Sequence, residues 1–397
     1  MATAAHYPVS DLDPFSERFM SDPFRFHAEL RAAGPVVWLE RYGIWAISHY
    51  AEVFSAVTDA KTFISSAGVG IADFRCETPP RPPSIVLEAD PPLHTRTHKI
   101  LARVLSPAAL RSMRAACERE ARTLVDKLVE ARDIEAVGEA ARAYATKVFA
   151  DALGLPQTNR EALLPYGTMV FNFFGPQNAL YMEAMARAPE VTEQIMLLCE
   201  RKSLKENGLA AGIYAAYDAG ECTYKEAGML VRSLLSAGLD TTINGLACAF
   251  VCFAKNPEEW DRVRSDASLA RNAFDEAIRL ESPVQTFFRT VSRRVELGGV
   301  VLEDGAKVLL FYASANRDPQ KWQDPDRFDA TRKTGPHLGF GAGIHRCVGE
   351  MLAKVEGEIL IAEFARRVRR FTLTAEPTLR FNNTLRAYER IPLRLER

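Results

Sequence analysis

Apolar residues recur every three to four positions over residues 108–280, the spacing that gives a helix one buried face, with stops at Gly154-Leu155-Pro156, Gly175-Pro176 and Asn256-Pro257. Strand-like runs are short. Residues 36–39 and 44–48 flank the turn Arg41-Tyr42-Gly43, and residues 300–302 and 307–312 flank Glu303-Asp304-Gly305, which predicts an early and a late hairpin. The fold class expected is mainly α with small β-sheets (α+β). No repeat or long linker divides the chain, and Pro79-Pro80-Arg81-Pro82-Pro83 is too short to space two domains, so a single domain over residues 1–397 is expected.

Thr223-Tyr224-Lys225-Glu226 has the form of a capping box, and the apolar pattern behind it runs to Ala254, which predicts a helix of roughly 30 residues and about 45 Å. Over residues 241–254 that helix is uncharged on every face and must be buried. Asp240 nevertheless sits in its middle, beside Thr241 and Thr242. A buried carboxylate without partners costs several kcal/mol, so Asp240 is paired, protonated or open to an internal wet cavity, and the last of these points to a functional site.

Composition narrows the function. The chain is 47% hydrophobic and 25% charged, as in a globular protein with a large core, and 50 Lys+Arg against 51 Asp+Glu leave a net charge of -1. That balance lacks the basic excess that draws nucleic acid or anionic lipid. Residues 1–10 have neither a basic start nor a long apolar run, so neither a signal peptide nor a membrane anchor is expected and the protein reads as soluble and cytoplasmic. Seven scattered cysteines without zinc-type pairs agree with a reducing compartment. Six of them read as small buried apolar residues; Cys347 does not.

Cys347 closes a glycine-rich run, Phe340-Gly341-Ala342-Gly343-Ile344-His345-Arg346-Cys347-Val348-Gly349, ahead of a helical pattern from Glu350. Glycines let the backbone approach a bulky flat group, N–H groups can turn toward the sulfur, and the positive end of the following helix favours a thiolate. A thiolate ligand to haem iron requires all three. A merely structural cysteine would not need F-G-x-G-x-H-x-C-x-G at fixed positions.

On this run the chain resembles the cytochrome P450 family, the haem-thiolate monooxygenases, in its soluble bacterial form and along essentially its whole length. Glu276-Ala277-Ile278-Arg279 resembles the E-x-x-R of that family and Ala237-Gly238-Leu239-Asp240-Thr241-Thr242 its A-G-x-D-T. The resemblance implies a triangular prism of helices around buried haem b. It implies that Cys347 is the axial ligand of the iron, that Phe340, Gly341, Gly349 and Ala237 lie against the cofactor, and that Gly238 makes room near the iron. His94, His98, Arg289 and His345 are the implied propionate donors, with His98 where relatives often carry arginine. Glu276 and Arg279 are implied to form a structural ion pair closed by Arg327 of Pro325-Asp326-Arg327-Phe328. Thr241 would hold a hydroxyl in the oxygen pocket while Asp240 passes protons inward. No G-x-G-x-x-G follows a strand, so electrons are expected from an iron–sulfur ferredoxin with its NAD(P)H-dependent reductase, docking near Arg96, Lys99, Arg103, Arg111 and Arg114.

The positions where this family contacts substrate carry Arg81 and Ser84, Phe171 and Phe174, Ser233 and Ser236, Val284 and Phe287. An aromatic and aliphatic slot with an arginine and hydroxyls at one end suits a small flat ring bearing one carboxylate. Around Arg81-Pro82-Pro83-Ser84, Arg232-Ser233 and Phe171-Asn172-Phe173-Phe174 the chain resembles the bacterial subfamily that oxidises para-substituted benzoates, notably by demethylating para-methoxybenzoate. Two other readings compete. One is a monooxygenase of a neutral terpene or polyketide. The other is a haem-thiolate protein that binds ligands without activating O2, whose mark would be loss of the Asp240-Thr241 pair that this chain retains.

Overall fold

The computed structural model describes residues 7–79 and 81–397; residues 1–6, part of the stretch read above for a leader, and Pro80 of the proline run lie outside the described residues. Helix dominates, and its stops fall where the pattern places them. Helix Ala143–Leu153 ends on Gly154 at φ +80°, and Leu163–Asn172 ends just before Gly175. Pro257 opens the helix that follows Lys255. The capping box forms, with Thr223 Oγ1 accepting from the Glu226 amide at 3.2 Å and Glu226 Oε2 accepting from the Thr223 amide at 2.8 Å.

The long helix behind this cap runs as two segments, Tyr224–Ala237 and Asp240–Lys255, interrupted at Gly238 and Leu239. A Cβ on Gly238 would lie 2.4 Å from the Phe149 ring, so glycine is required there for the helix to pass that ring. This packing cause is additional to the room near the iron that the resemblance implies, since Gly238 also lines the cavity that holds Cys347. The second segment is buried along nearly its whole length, packed on helix Ala270–Glu281 and on the π-helical turn Ala136–Arg142. By length and composition the combined span Tyr224–Lys255 could cross a membrane, but 78% of its most apolar window is buried inside the protein.

Strands form a six-stranded sheet in the order Val9–Ser10, Val36–Leu39, Ile44–Ile47, Lys307–Phe311, Thr286–Val291, Phe63–Ile64. The early hairpin is present, with Trp38 opposite Trp45. The late one is not. Val300–Leu302 pairs instead with Val295–Leu297 across Gly298 and Gly299, whose φ of +56° and +78° make the two-residue turn that suits strand twist. Lys307–Phe311 is drawn into the large sheet between Ile44–Ile47 and Thr286–Val291. Further strands at Asp133–Glu135, Arg370–Leu373 and Pro392–Glu396 join into a sheet that the pattern does not predict. Of the six cysteines expected to be buried, Cys76 is exposed and the other five are buried.

A fully buried ion pair ties the helical half to the loops beneath it. Arg279 Nε and Nη2 donate to the two Glu276 oxygens at 2.7 and 2.8 Å, with neither side chain exposed. The rest of the guanidinium is cupped by the carbonyls of Asn316, Pro325 and Arg327 at 2.7, 2.9 and 3.3 Å. The closing arginine is Arg332, not Arg327. Arg332 Nε donates to Glu276 Oε1 at 2.8 Å, whereas the Arg327 side chain is 59% exposed and reaches only Glu259, at 3.8 Å. The chain turns so that Arg327 offers its carbonyl inward, and Arg332 reaches back under it.

Arg332→Ala is expected to lower the unfolding free energy by about 2–3 kcal/mol, since it strips a charged partner from a buried carboxylate. Arg327→Ala is expected to change it by no more than about 0.5 kcal/mol. Urea unfolding of the two variants measures the difference, and equal losses would put Arg327 back in the network.

Candidate active site

The glycine-rich run folds as a tight loop ahead of helix Glu350–Ala365. Gly341 and Gly343 both sit at φ +66°, and a Cβ on Gly343 would approach the Val57 carbonyl to 2.7 Å. The Cys347 amide donates to the Phe340 carbonyl at 2.9 Å, which turns the sulfur into a large internal cavity. Burial pushes the Cys347 thiol up to about 11, against the opposing pull of the Gly349 and Glu350 amides. The helix start thus favours the thiolate, as the loop pattern implies, and a cation held against the sulfur would favour it further.

Above the sulfur run Ala237, Gly238 and Thr241, which line the same cavity. The Thr241 hydroxyl donates to the Ala237 carbonyl at 2.7 Å and that of Thr242 to the Gly238 carbonyl at 3.0 Å, so both threonines brace the break in the helix. Asp240 is buried and faces away from the cavity. Its carboxylate accepts from Thr168 Oγ1 at 2.8 Å, Asn244 Nδ2 at 3.1 Å and Arg380 Nη2 at 2.8 Å. Of the three options open in the sequence, pairing is the one realised. Arg380 and Thr168 were not anticipated, and lone residues so far away in the chain carry no signal that could have found them.

Four basic groups converge on one side of the cavity. The rings of His94 and His98 stack at 5.1 Å, those of His94 and His345 meet at 4.3 Å, and Arg289 is buried beside them. Burial, then the charges of His345 and His98, lower His94 to about 4. Among the described residues the Nε2 atoms of His94 and His345 are buried without hydrogen-bond partners, and the Arg289 guanidinium donates only to the Phe288 carbonyl, at 2.7 Å. Asp90 is the nearest acid to His345, at 3.9 Å, and its oxygens are already taken by the Ser65 and Ser66 amides. A buried cation and two unsatisfied imidazoles call for an acceptor the chain does not supply. A porphyrin with two propionates, its iron at the Cys347 sulfur, fits that donor set.

At the other end Arg81, Ser84, Ser233 and Ser236 line the cavity, with the Ser84 and Ser233 hydroxyls 3.2 Å apart. Phe171, Val284 and Phe287 form its apolar wall. Phe174 does not reach this cavity; it stands behind Phe171 and Phe287, with centroids at 5.8 and 5.5 Å. Arg81 is not free, for Glu88 grips it in two bonds of 2.8 and 3.0 Å. At this end the cation without an acidic partner in contact among the described residues is Arg232, buried, lining the cavity and donating to the Pro82 and Pro83 carbonyls at 2.9 and 3.1 Å. Its place beside Ser233 was the sequence signal. The surface arginines are also less free than their clustering implies. Arg96 pairs with Glu226 at 2.6 Å, Arg103 with Glu221 at 2.9 Å, and Arg114 with Glu118 and Glu358 at 2.9 and 2.6 Å.

Comparison with known proteins agrees with this site. Residues 137–388 match the Cytochrome P450 family. The chain is 49% identical over 392 residues to Cytochrome p450 CYP199A2 of Rhodopseudomonas palustris, covering 98% of this chain and 95% of that protein. It is 31% identical over 377 residues to Putative cytochrome P450 126 of Mycobacterium tuberculosis, covering 90% of each. Among solved structures, P450BioI in complex with hexadec-9Z-enoic acid ligated acyl carrier protein superposes with a TM-score of 0.86 at 25% identity, over 96% of this chain and 100% of that one. The chain belongs to the cytochrome P450 family and is a monooxygenase whose cofactor is haem b, bound through a cysteine thiolate.

Proposed function

We propose that this monooxygenase oxidises small aromatic carboxylates, with para-methoxybenzoate as the type substrate and removal of its methyl group as the reaction. One observation carries the reading: a buried arginine without a carboxylate, Arg232, adjoins paired hydroxyls at one end of an otherwise aromatic and aliphatic cavity whose other end holds Cys347. A carboxylate seated at Arg232, Ser84 and Ser233 leaves the para substituent as the part of the ring directed away from the polar end.

In this reading Cys347 would hold the iron through its thiolate, and His94, His98, Arg289 and His345 would hold the propionates. When bound, haem b would supply the activation of dioxygen, helped by electron donation from the sulfur. The overall step takes the methoxy ring, O2, two electrons and two protons to the phenol, formaldehyde and water, since a hydroxylated methoxy carbon is a hemiacetal that falls apart. Thr241 spends its proton on the Ala237 carbonyl, so its oxygen faces the cavity as an acceptor and holds a proton-bearing group there. Asp240 stands behind it as a carboxylate that can take up a proton from the side where Arg380 is partly exposed and pass it inward. Electrons come from an iron–sulfur ferredoxin, reduced by its NAD(P)H-dependent reductase, seated on the Cys347 side, where Ile344 and Met351 are exposed and Arg271 lies 3.4 Å from the Met351 sulfur. The cytoplasm suits the set of free thiols.

Titrating the ferric protein with para-methoxybenzoate and with neutral para-methoxytoluene tests the substrate class through displacement of iron-bound water. Arg232→Ala is expected to weaken the carboxylate roughly tenfold or more and the neutral ring by less than about twofold; equal losses would remove the anchor. Thr241→Val, which keeps the shape and loses the oxygen, is expected to consume NADH at a near-normal rate while formaldehyde per NADH falls roughly tenfold and hydrogen peroxide rises. Unchanged coupling would end the role given to Thr241.

A further inference from the structure

A second cavity adjoins the first, walled by Ile71, Phe74, Phe173, Phe174 and Tyr181, with the carboxylates of Glu77 and Glu88 at its rim. Among the described residues Arg81 is the only one that lines both cavities. Its guanidinium carbon lies 5.6 Å from the centre of the Phe174 ring, and that ring abuts Phe171 and Phe287 of the main cavity. The partition between the two spaces is thus the Arg81–Glu88 pair with Phe174 behind it. Glu88 is 1% exposed at its side chain and also accepts from the Ser84 amide at 2.7 Å. Arg81 Nε is buried and has no partner among the described residues.

The geometry has a consequence for charged visitors. A carboxylate of the protein already sits on Arg81 in the two-pronged arrangement that a benzoate would adopt. Beyond it waits Arg232 without a carboxylate, so Arg81, Arg232 and Glu88 together carry one net positive charge, the complement of one monoanion. An arriving carboxylate can replace Glu88 on Arg81, one charge-assisted pair forming as the other breaks and the freed Glu88 facing water in the outer cavity that it lines, whereas a neutral ring has nothing to exchange. We propose that the outer cavity is a receiving site for the aromatic carboxylate and that Glu88 is a specificity-determining residue: an internal competitor that holds Arg81 across the partition until an external carboxylate displaces it. This rests on the aromatic-carboxylate reading above.

Stopped-flow mixing of the ferric holoenzyme with para-methoxybenzoate or para-methoxytoluene, followed by the spin-state absorbance change, tests it. Glu88→Gln keeps the shape and the acceptor for the Ser84 amide but removes the competing charge. Its association rate and affinity for the carboxylate are expected to rise about tenfold, with the neutral ring altered by less than about twofold. In the double variant Arg81→Gln, Glu88→Gln, which retains a neutral hydrogen-bonded pair, carboxylate association is expected to fall to the rate of the neutral ring. An unchanged or slower carboxylate in Glu88→Gln, or an undiminished one in the double variant, overturns the proposal. If the wild-type protein binds the two ligands equally well, it is the aromatic-carboxylate reading itself that fails.

Discussion

A charge cannot rest in the interior of a protein without an opposite charge, and the placing of everything else follows from how this chain meets that rule. Where the chain supplies both partners the result is scaffold. Glu276 is bound by Arg279 and Arg332, and Glu281 is flanked by Arg317 and Arg386 at 3.4 and 2.8 Å. Where no partner exists and none is missing, the group gives up its charge. Burial raises Glu356 to about 8 and lowers His27 well below the usual imidazole value, so both are neutral near pH 7. Cys347, Arg289, the two imidazoles with bare Nε2 atoms, and Arg232 form a further group, without an ionic partner in close contact among the described residues. All of them face one cavity. As proposed, their partners are the iron, the propionates and the carboxylate of the substrate.

The interruption of the central helix belongs to the same economy of polar groups. Phe149 forces glycine at 238, and the helix opens there. Two carbonyls at the opening are met by threonine hydroxyls from the next turn, which fixes Thr241 where its oxygen borders the cavity. Asp240, one residue earlier, must point the opposite way. Helix Leu163–Asn172 passes it closely enough that a Cβ on Gly167 would come within 3.2 Å, and this brings Thr168 into hydrogen-bond reach while Arg380 arrives from the strand Thr378–Arg380. One helix break thus presents an alcohol to the cavity and a paired acid to the solvent side.

Local features of this fold could be read from sequence, and long-range pairing could not. Gly154, Pro257 and the Thr223–Glu226 box act over a few residues, so the helix ends they specify fall where expected. The late hairpin failed because Gly298-Gly299 makes a tighter turn than Glu303-Asp304-Gly305, and because the fate of Lys307–Phe311 is decided by strands hundreds of residues away. The cavity residues were legible through the family resemblance that the loop at 340–349 carries, and the assembled cavity contains Cys347, His94, His98, Arg289 and His345 together. Which arginine closes on Glu276, which acid holds Arg81 and what neutralises Asp240 depend on side-chain directions that a one-dimensional pattern does not carry.

The length of the proposed substrate is bounded by the same helix that presents the oxygen pocket. Arg232 and Thr241 lie on one nearly continuous helix, nine residues apart, which at 1.5 Å per residue separates their backbones by about 13 Å. The arginine side chain spans part of that distance, and the hydroxyl and the group it holds span more. On the proposed reading the carboxylate at Arg232 and the oxygen of Thr241 mark the two ends of the substrate, and this axial spacing suits one ring with a short para substituent. Selectivity for the para position would then come from spacing along the helix rather than from a residue that recognises the substituent.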